Sequence, residues 1–221
     1  MPKAPETSSA ARRVGQTVPT ARRKSSEQRR REILDAALDG FASRGFAAIT
    51  MADIRERAGA STGSIYHHFK SKEQLAAELY LDGVRDMQEH GVSALLRQQS
   101  AEQGVRALVE AYLDWVERQP KLAAFLFAMR HADFLDAVES DLHRLHRDGI
   151  DNAAEWFRAR MLSGELPNVT PDILRAVLYG PAAHYAQRWA RSQADVEMKV
   201  AKEQLATAAW HALQALQRSR P

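Results

Sequence analysis

Side chains suited to reading DNA are concentrated in one short stretch, STGSIYHHFKSK, at residues 61–72. Its short hydroxyl groups, imidazoles and flat phenol ring fit the major groove and its flanking phosphates, whereas a purely structural surface helix more often carries Glu and Lys. The full candidate set for DNA contact is Thr50, Ser61, Thr62, Gly63, Ser64, Tyr66, His67 and Lys72. A helix N-cap and a long cation suit anchoring to the DNA backbone. The expected base-edge readers are Thr62, Ser64 and His67, and the expected phosphate contacts are Thr50, Tyr66 and Lys72.

A helix before this stretch is needed to hold it in place. The sequence predicts an opening helix that begins at an N-cap on Ser25 or Ser26 and ends before Gly45. Its apolar residues, among them Ile33 and Phe41, recur at intervals of four and form one stripe along the helix. This stripe is expected to face the core of an N-terminal domain.

Two short helices are predicted after the opening helix. Thr50 is expected to cap the first, with Asp53 at the spacing of a capping box, and Gly59 is expected to end it. Ser61 or Thr62 is expected to cap the second. Two short helices joined by a tight, glycine-containing turn are the plan of a helix-turn-helix.

The remaining chain also has a helical pattern. Ser71 is predicted to cap a helix over residues 72–98, which would be about 40 Å long at 1.5 Å per residue and could transmit a change between the two ends of the protein. An apolar segment is expected after Pro120, and a kink at Pro181. The other predicted helices cover residues 102–118, 134–163, 171–191 and 194–218.

The run ITMADIRERAGASTGSIYHHFKSKEQL resembles the DNA-binding domain of the TetR (tetracycline-repressor-like) transcriptional regulators. The segment REILDAALDGFASRGF is similar to the opening helix of that family, and the resemblance covers about residues 28–80. The residues that carry it are Gly45, Phe46, Thr50, Ile54, Ala58, Gly59, Tyr66, Phe69, Lys72 and Leu75. Met51 departs from the family, whose members often have a polar residue there that can approach a phosphate.

The resemblance implies an all-α fold, in which a three-helix helix-turn-helix domain precedes a helical effector-binding and dimerisation domain. We place these domains at residues 25–72 and 73–221, after a basic tail at 1–24 that is expected to be disordered in isolation. Residues 1–31 contain nine Lys and Arg residues and two acidic ones, a net charge of +7, whereas the rest of the chain has a net charge of −4. The tail either contacts a polyanion such as DNA or is simply solvated.

Aromatic, Met and a few polar residues of the C-terminal part are candidates for an effector cavity, which must be mostly apolar. The candidates are Tyr112, Trp115, Phe127, Arg130, His131, Trp156, Tyr179 and His184. Ordinary core packing is the alternative for each of them. The expected effector is a small, largely apolar molecule.

Rows of alanine in the last two predicted helices leave small faces for close packing. They are Ala182, Ala183, Ala186 and Ala190 in one helix, and Ala201, Ala208, Ala209, Ala212 and Ala215 in the other. In the resembled family this helix pair forms a four-helix bundle with its mate, so a homodimer is expected. Packing within one chain is the alternative.

Several classes of protein are not expected. Apolar residues make up 45% of the chain and charged residues 27%, which is ordinary for a globular protein and argues against full-length disorder. There is no cysteine, and we expect a cytoplasmic protein without a membrane span. His143 and His146 lie three residues apart near Asp141, but no further ligand is identifiable, so no metal or cofactor is expected.

The sequence therefore favours a ligand-responsive, dimeric DNA-binding regulator that is not an enzyme, most simply a repressor with a palindromic operator. The alternative is an all-helical small-molecule-binding protein or enzyme whose DNA-binding domain is vestigial.

Overall fold

The computed structural model describes the backbone of residues 20–218 and the side chains of residues 26–145 and 153–218. This part of the chain is helical and contains no β-strand. The elements are α1 (Thr20–Arg44), α2 (Met51–Arg57), α3 (Thr62–His68), α4 (Lys72–Leu96), α5 (Ala101–Arg118), α6 (Pro120–Met129), a 3₁₀ helix (Asp133–Val138), α7 (Glu139–Leu162), α8 (Pro171–Ala190) and α9 (Met198–Arg218). Every helix in these residues is too short or too polar to cross a membrane.

Helices α1 to α3 form the N-terminal helix-turn-helix unit, and local signals set their ends. Gly45 follows α1 with a φ of +81°, a conformation that glycine adopts without strain. Thr50 and Asp53 form the complete capping box at the start of α2, as predicted. Ser61 caps α3 by accepting a hydrogen bond from the backbone N–H of Ser64. The unit is held together by its apolar faces, since Ile33, Ile49, Ile54, Ile65 and Phe69 are all fully buried.

The C-terminal helices pack around α5. This helix contacts α4, α8 and α9, while α7 lies against α4. Its apolar stripe supplies the centre of the core, where Val105, Val109, Leu113 and Val116 are completely buried. Helix α4 joins the two parts of the molecule, since it contacts α1 of the helix-turn-helix unit as well as α5 and α7 of the C-terminal core.

Trp156 fixes α7 to the turn between α4 and α5. Its ring lies so close to Gly104 that a Cβ built on this glycine would be 2.2 Å from the ring atom Cη2. The indole N–H donates to the carbonyl of Gln98 at 3.2 Å. The guanidinium of Arg160 lies 4.1 Å from the centre of the same ring and donates to the carbonyl of Gln99. Trp156 is therefore held by a hydrogen bond at its N–H and by a guanidinium on one face.

A chain of phenylalanine rings joins the two parts of the molecule. Phe41 of α1 stacks on Phe125 of α6 at 5.5 Å between ring centroids and also contacts Phe46 at 5.3 Å. Phe46 in turn lies 5.2 Å from Phe134 of the 3₁₀ helix. The contact between the helix-turn-helix unit and the rest of the protein is thus made by α6 and the 3₁₀ helix as well as by α4.

Polar contacts reinforce the same junction. Arg30 of α1 forms an ion pair with Glu78 of α4, and Asp82 lies 3.7 Å from its guanidinium. Lys121 of α6 donates to Asp39 of α1 at 2.6 Å. These side chains are partly or largely exposed, so they orient the helices more than they stabilise them.

The structure differs from the sequence predictions at several helix ends. Helix α1 begins at Thr20, before the predicted N-caps Ser25 and Ser26, because the intervening residues are good helix formers without proline or glycine. Residues 1–19 of the predicted tail lie outside the described residues. Helix α4 ends at Leu96 instead of residue 98. Helix α8 agrees with its predicted extent to within one residue and contains Pro181.

The single helix predicted over residues 134–163 is wrong in its first part, which is the 3₁₀ helix, because Phe134 turns towards the ring of Phe46 and Leu135 towards the core. Helix α9 begins at Met198, later than the predicted residue 194. The chain first makes a turn in which Ser192 has a φ of +55°.

Candidate functional site

Helix α3 has a buried apolar face and an exposed polar face. Ile65 and the adjoining Phe69 are fully buried, whereas Thr62 and His67 are exposed and Tyr66 leaves half of its surface exposed. A large exposed aromatic side chain with a polar end is typical of a binding surface. The structure therefore exposes the predicted residues of α3, except that Ser64 is half-buried.

Two hydroxyl groups at the start of α3 already accept hydrogen bonds from the protein. Ser61 Oγ accepts from the backbone N–H of Ser64 at 3.1 Å. Thr62 Oγ1 accepts from Nη1 of Arg55, a residue of α2, at 3.1 Å. Gly63 follows Thr62, and a Cβ built there would meet no atom within 4 Å. Both hydroxyl protons remain available to an outside acceptor.

Thr50 is more fully engaged than the sequence suggested. Its hydroxyl donates to Oδ2 of Asp53 at 2.6 Å, and its backbone N–H donates to the same oxygen at 2.8 Å. These bonds and the ion pair of Asp53 with Arg44, 2.9 Å long, hold the pKa of Asp53 far below its usual value. The hydroxyl proton of Thr50 is therefore not free for a phosphate while the capping box is intact.

An open cleft of about 520 Å³ adjoins this capping box and is lined by Arg44, Asp53, Glu56 and Arg57. Two acids and two bases form its wall. It does not have the apolar lining expected of the effector site.

Lys72 lies at the first position of α4, and its ammonium contacts the turn after α1. It donates to the carbonyl of Phe46 at 2.9 Å and lies 4.3 Å from the centre of the Phe46 ring. An ammonium has three N–H donors, so two remain for a phosphate. The half-buried side chain is held in one place by this carbonyl and ring.

The two adjacent histidines of α3 have different surroundings. His67 is exposed and His68 is half-buried, with 5.2 Å between their ring centroids. Burial, followed by the charge of His67, lowers the pKa of His68. His67 is therefore the histidine of this pair that can approach DNA.

The predicted effector residues do not form one group. Tyr112 of α5 and Tyr179 of α8 are in contact, with their rings 5.7 Å apart and nearly perpendicular. Burial raises the pKa of Tyr179 to about 12 and that of Tyr112 further, so both phenols are neutral. Among the described residues neither hydroxyl has a hydrogen-bond partner. Each hydroxyl has a proton to donate, so this pair is a place where a ligand acceptor could bind.

The other predicted effector residues make different contacts. The indole of Trp115 is buried and donates to Asp86 of α4 at 2.6 Å, and Trp156 is held at the α4–α5 turn. Phe127 is partly buried against the core. The exposed members are Arg130, His131 and His184.

Sequence reasoning missed three residues with unusual surroundings. Nε of Arg55, Oε1 of Gln88 and Nε of Arg160 are buried without a hydrogen-bond partner in the part of the chain that the structure describes. Gln88 interrupts the buried stripe of α4 between Val84 and Gly91, a signal that the sequence did contain. Nothing in the sequence pattern pointed to Arg55. The metal alternative rested on His143, which is exposed, and on His146, whose side chain lies outside the described residues.

The alanine rows of α8 and α9 divide into two sets. Ala182, Ala186, Ala201 and Ala209 are buried within the chain. The exposed set on the outer faces includes Ala208 and Ala212 of α9 and is extended by Leu216, Ile173 and Gly180. Part of the predicted small-residue surface is thus intrachain packing, and the remainder is an exposed apolar face.

Comparison with known proteins agrees with this architecture. The sequence model described as "Bacterial regulatory proteins, tetR family" matches residues 33–79. The HTH-type transcriptional regulator BetI of Cronobacter sakazakii is 30% identical over 191 residues, which cover 71% of this chain and 94% of BetI. The chain belongs to the TetR family.

Two further comparisons concern one part of the sequence and the overall fold. The HTH-type transcriptional repressor KstR2 of Mycolicibacterium smegmatis is 52% identical over 54 residues, which are 24% of this chain and 26% of KstR2. The crystal structure of the transcriptional regulator FadR from Bacillus subtilis, in complex with stearoyl-CoA, has a TM-score of 0.69 at 16% identity and covers 81% of this chain and 96% of FadR. At this identity FadR shows the likeness of fold.

Proposed function

We propose that this TetR-family regulator is a dimeric repressor that binds a palindromic operator and leaves it when a small, largely apolar effector binds the C-terminal domain. The main observation in support of the proposal is that α3 has a buried apolar face and an exposed polar face. Ile65 and Phe69 anchor the helix completely, and the opposite face presents hydroxyl, imidazole and phenol groups to the outside. A vestigial domain would not need this arrangement.

A single copy of α3 offers too little surface for a specific site. The helix has seven residues and is about 10 Å long at 1.5 Å per residue, so it can contact only a few base pairs. Two copies in a symmetric dimer would read two half-sites about 34–36 Å apart or a multiple of that distance. We therefore expect a palindrome.

We assign the base-edge contacts to Thr62, Ser64 and His67. Tyr66 and Lys72 are the better phosphate contacts, because Tyr66 is exposed and Lys72 retains free N–H donors. Contact of Thr50 with a phosphate would require its hydroxyl to leave Asp53.

The exposed faces of α8 and α9 are the proposed dimer surface. Ile173, Gly180 and His184 recur along α8, and Ala208 and Ala212 along α9, at helical spacing and exposed. Small residues allow two helix pairs to approach closely, and an exposed apolar face of this kind marks an association surface. In this assignment His184 belongs to the dimer surface and not to the effector cavity.

The proposed effector contacts are the hydroxyls of Tyr112 and Tyr179, which belong to the same apolar core as Trp115 and Phe127. Two neutral phenols are donors, so the effector needs an acceptor such as a carbonyl on an otherwise apolar body. Stearoyl-CoA, which FadR holds, combines a long apolar chain with a thioester carbonyl. Acyl thioesters are therefore the first effectors to test.

The DNA-binding proposal is tested with duplexes that the protein itself selects from a random-sequence pool. Fluorescence anisotropy would measure binding of the full chain, and light scattering would measure its mass. His67→Ala is expected to weaken binding to the selected duplex about tenfold, the value of one good base contact. His143→Ala removes another exposed histidine, on α7, and is the matched control with wild-type binding.

Failure to select any duplex, or equal binding by His67→Ala and wild type, would contradict the proposed DNA surface. A monomer at micromolar concentration would contradict the dimer. For the effector, stearoyl-CoA is added to the complex with the selected duplex, and release of DNA by wild type but not by Tyr179→Phe would support the tyrosine assignment. Equal release by both would remove Tyr179 from the effector site.

A further inference from the structure

Arg55 of α2 lies against the first residue of the proposed DNA-reading helix. Its Nη1 donates to Oγ1 of Thr62 at 3.1 Å, across the turn between α2 and α3. Its backbone carbonyl accepts from the N–H of Ala60 and closes the same turn. The side chain is half-buried, and its Nε is fully buried. Packing therefore holds this guanidinium in place before any DNA arrives.

The chemistry of this contact fixes the role of the hydroxyl. A threonine hydroxyl has one proton to donate and two lone pairs, whereas a guanidinium has only donors. Arg55 can therefore occupy a lone pair of Thr62 but can never take its proton. Among the described residues no acceptor takes that proton, and the Thr62 side chain is exposed. A nearby positive charge also makes the hydroxyl a stronger donor.

We infer that Arg55 is a positioning residue that turns the Thr62 hydroxyl into an oriented hydrogen-bond donor towards DNA. This inference rests on the proposed function, in which Thr62 contacts DNA. The acceptor is N7 or O6 of a purine, O4 of thymine or a phosphate oxygen, all of which present lone pairs to the groove or its edge. The role of Arg55 itself is intramolecular, because its fork is directed at Thr62.

The experiment is a double-mutant cycle on the duplex that wild type selects from a random-sequence pool. Arg55→Met keeps an aliphatic stem for packing but has no donor, and Thr62→Val keeps the shape of threonine without its hydroxyl. Each single variant is expected to bind about three- to tenfold more weakly, the value of one hydrogen bond. The double variant is expected to bind no more weakly than Thr62→Val alone, because Arg55 acts only through that hydroxyl.

Two further measurements separate positioning from other roles. A panel of duplexes with single base-pair changes should show that both variants lose preference at the same base pair, or lose affinity uniformly if the acceptor is a phosphate. The slope of log affinity against log salt should stay unchanged in Arg55→Met, since no phosphate contact is removed. Arg85→Met, which removes an exposed guanidinium from α4, is the matched control and should bind as wild type does.

Additive losses in the double variant would overturn the inference, because Arg55 and Thr62 would then act independently. A salt slope smaller by about 0.9 in Arg55→Met would also overturn it, since Arg55 would itself neutralise a phosphate. Wild-type binding by Thr62→Val would instead refute the proposed contact of Thr62 with DNA. If Arg55→Met melts below the assay temperature, Arg55→Lys replaces it in the same cycle. Arg55→Lys must then weaken DNA binding in the wild-type background but not in the Thr62→Val background.

Discussion

Replacing Gly104 by alanine should destabilise the protein because Trp156 occupies the space of the new methyl group. The added Cβ would lie 2.2 Å and 2.4 Å from two ring carbons and 3.0 Å from Leu95 Cδ1. Ordinary carbon contacts are about 3.5–4.0 Å, so the ring would have to retreat by more than 1 Å. It cannot do so freely, because its N–H is bonded to Gln98 and Arg160 covers one face.

The magnitude follows from two opposing effects. Overpacking of this severity costs about 3 kcal/mol, and alanine returns up to about 1 kcal/mol of helix propensity relative to glycine. The net loss of about 2 kcal/mol corresponds to a melting temperature lower by about 4–8 °C for a chain of 221 residues. Circular dichroism at 222 nm measures this shift, at one fixed protein concentration because dimer stability depends on concentration.

Gly91→Ala is the matched control within the neighbouring helix. A Cβ at Gly91 would lie 3.6 Å from Leu108 Cδ2, an ordinary contact, so this variant should melt at or above the wild-type temperature. In the double variant Gly104→Ala with Trp156→Phe, the shorter ring no longer reaches the methyl group. The loss of stability should then be smaller than the sum of the two single losses.

A melting temperature of Gly104→Ala equal to that of wild type would refute this reasoning. The ring of Trp156 would then have free space to move into, and the residue would regain its place among the candidates for the effector cavity. Loss of stability with the expected coupling to Trp156→Phe would identify Trp156 as a packing residue.

Three further predictions concern the DNA-binding unit and the buried phenols. Gly63→Ala should raise the free energy of unfolding by up to about 1 kcal/mol, since its Cβ would meet no protein atom within 4 Å. The same variant should bind the selected duplex more weakly. Unchanged affinity would show that DNA does not approach Gly63. Because the pKa of Asp53 is lowered, its carboxylate stabilises the folded state above about pH 4, the ordinary carboxyl pKa. This stabilisation is lost as the pH falls through and below that value. Denaturant unfolding should therefore show Asp53→Asn less stable than wild type at pH 7 and the difference narrowing at pH 3, whereas a constant difference would contradict the capping role. Burial of Tyr179 favours its neutral form, so its contribution to stability is present below pH 10 and is lost as the pH rises towards about 12. The absorbance titration at 295 nm of wild type minus Tyr179→Phe should have its midpoint near 12, and a midpoint near 10 would contradict the burial.

Local signals made the helix-turn-helix unit predictable from sequence. The capping box of Thr50 and Asp53, the N-cap at Ser61 and the stop at Gly45 each depend on residues within one turn of helix. The buried pair of Ile65 and Phe69 follows from helical spacing alone. Such features need no knowledge of the rest of the chain.

Features that depend on distant partners were not predictable in this way. The 3₁₀ helix forms where Phe134 meets Phe46, 88 positions earlier in the sequence. The place of Trp156 at the α4–α5 turn depends on the absence of a side chain at Gly104. The contact between Arg55 and Thr62 crosses a turn, so the helical spacing of residues does not predict it. Sequence patterns describe one helix at a time, whereas these contacts join helices.

The phenylalanine contacts between the two parts of the molecule limit how far this protein can be treated as modular. A hybrid regulator made by joining residues 1–72 to the C-terminal domain of another family member would keep Phe41 and Phe46 but leave Phe125 and Phe134 behind. Phe41 and Phe46 would then pack against side chains of the other protein. The turn to which Lys72 is hydrogen-bonded would also lose its native packing. An exchange of DNA specificity should therefore be made by grafting the exposed face of α3 alone, or should carry α6 and the 3₁₀ helix along with the first three helices.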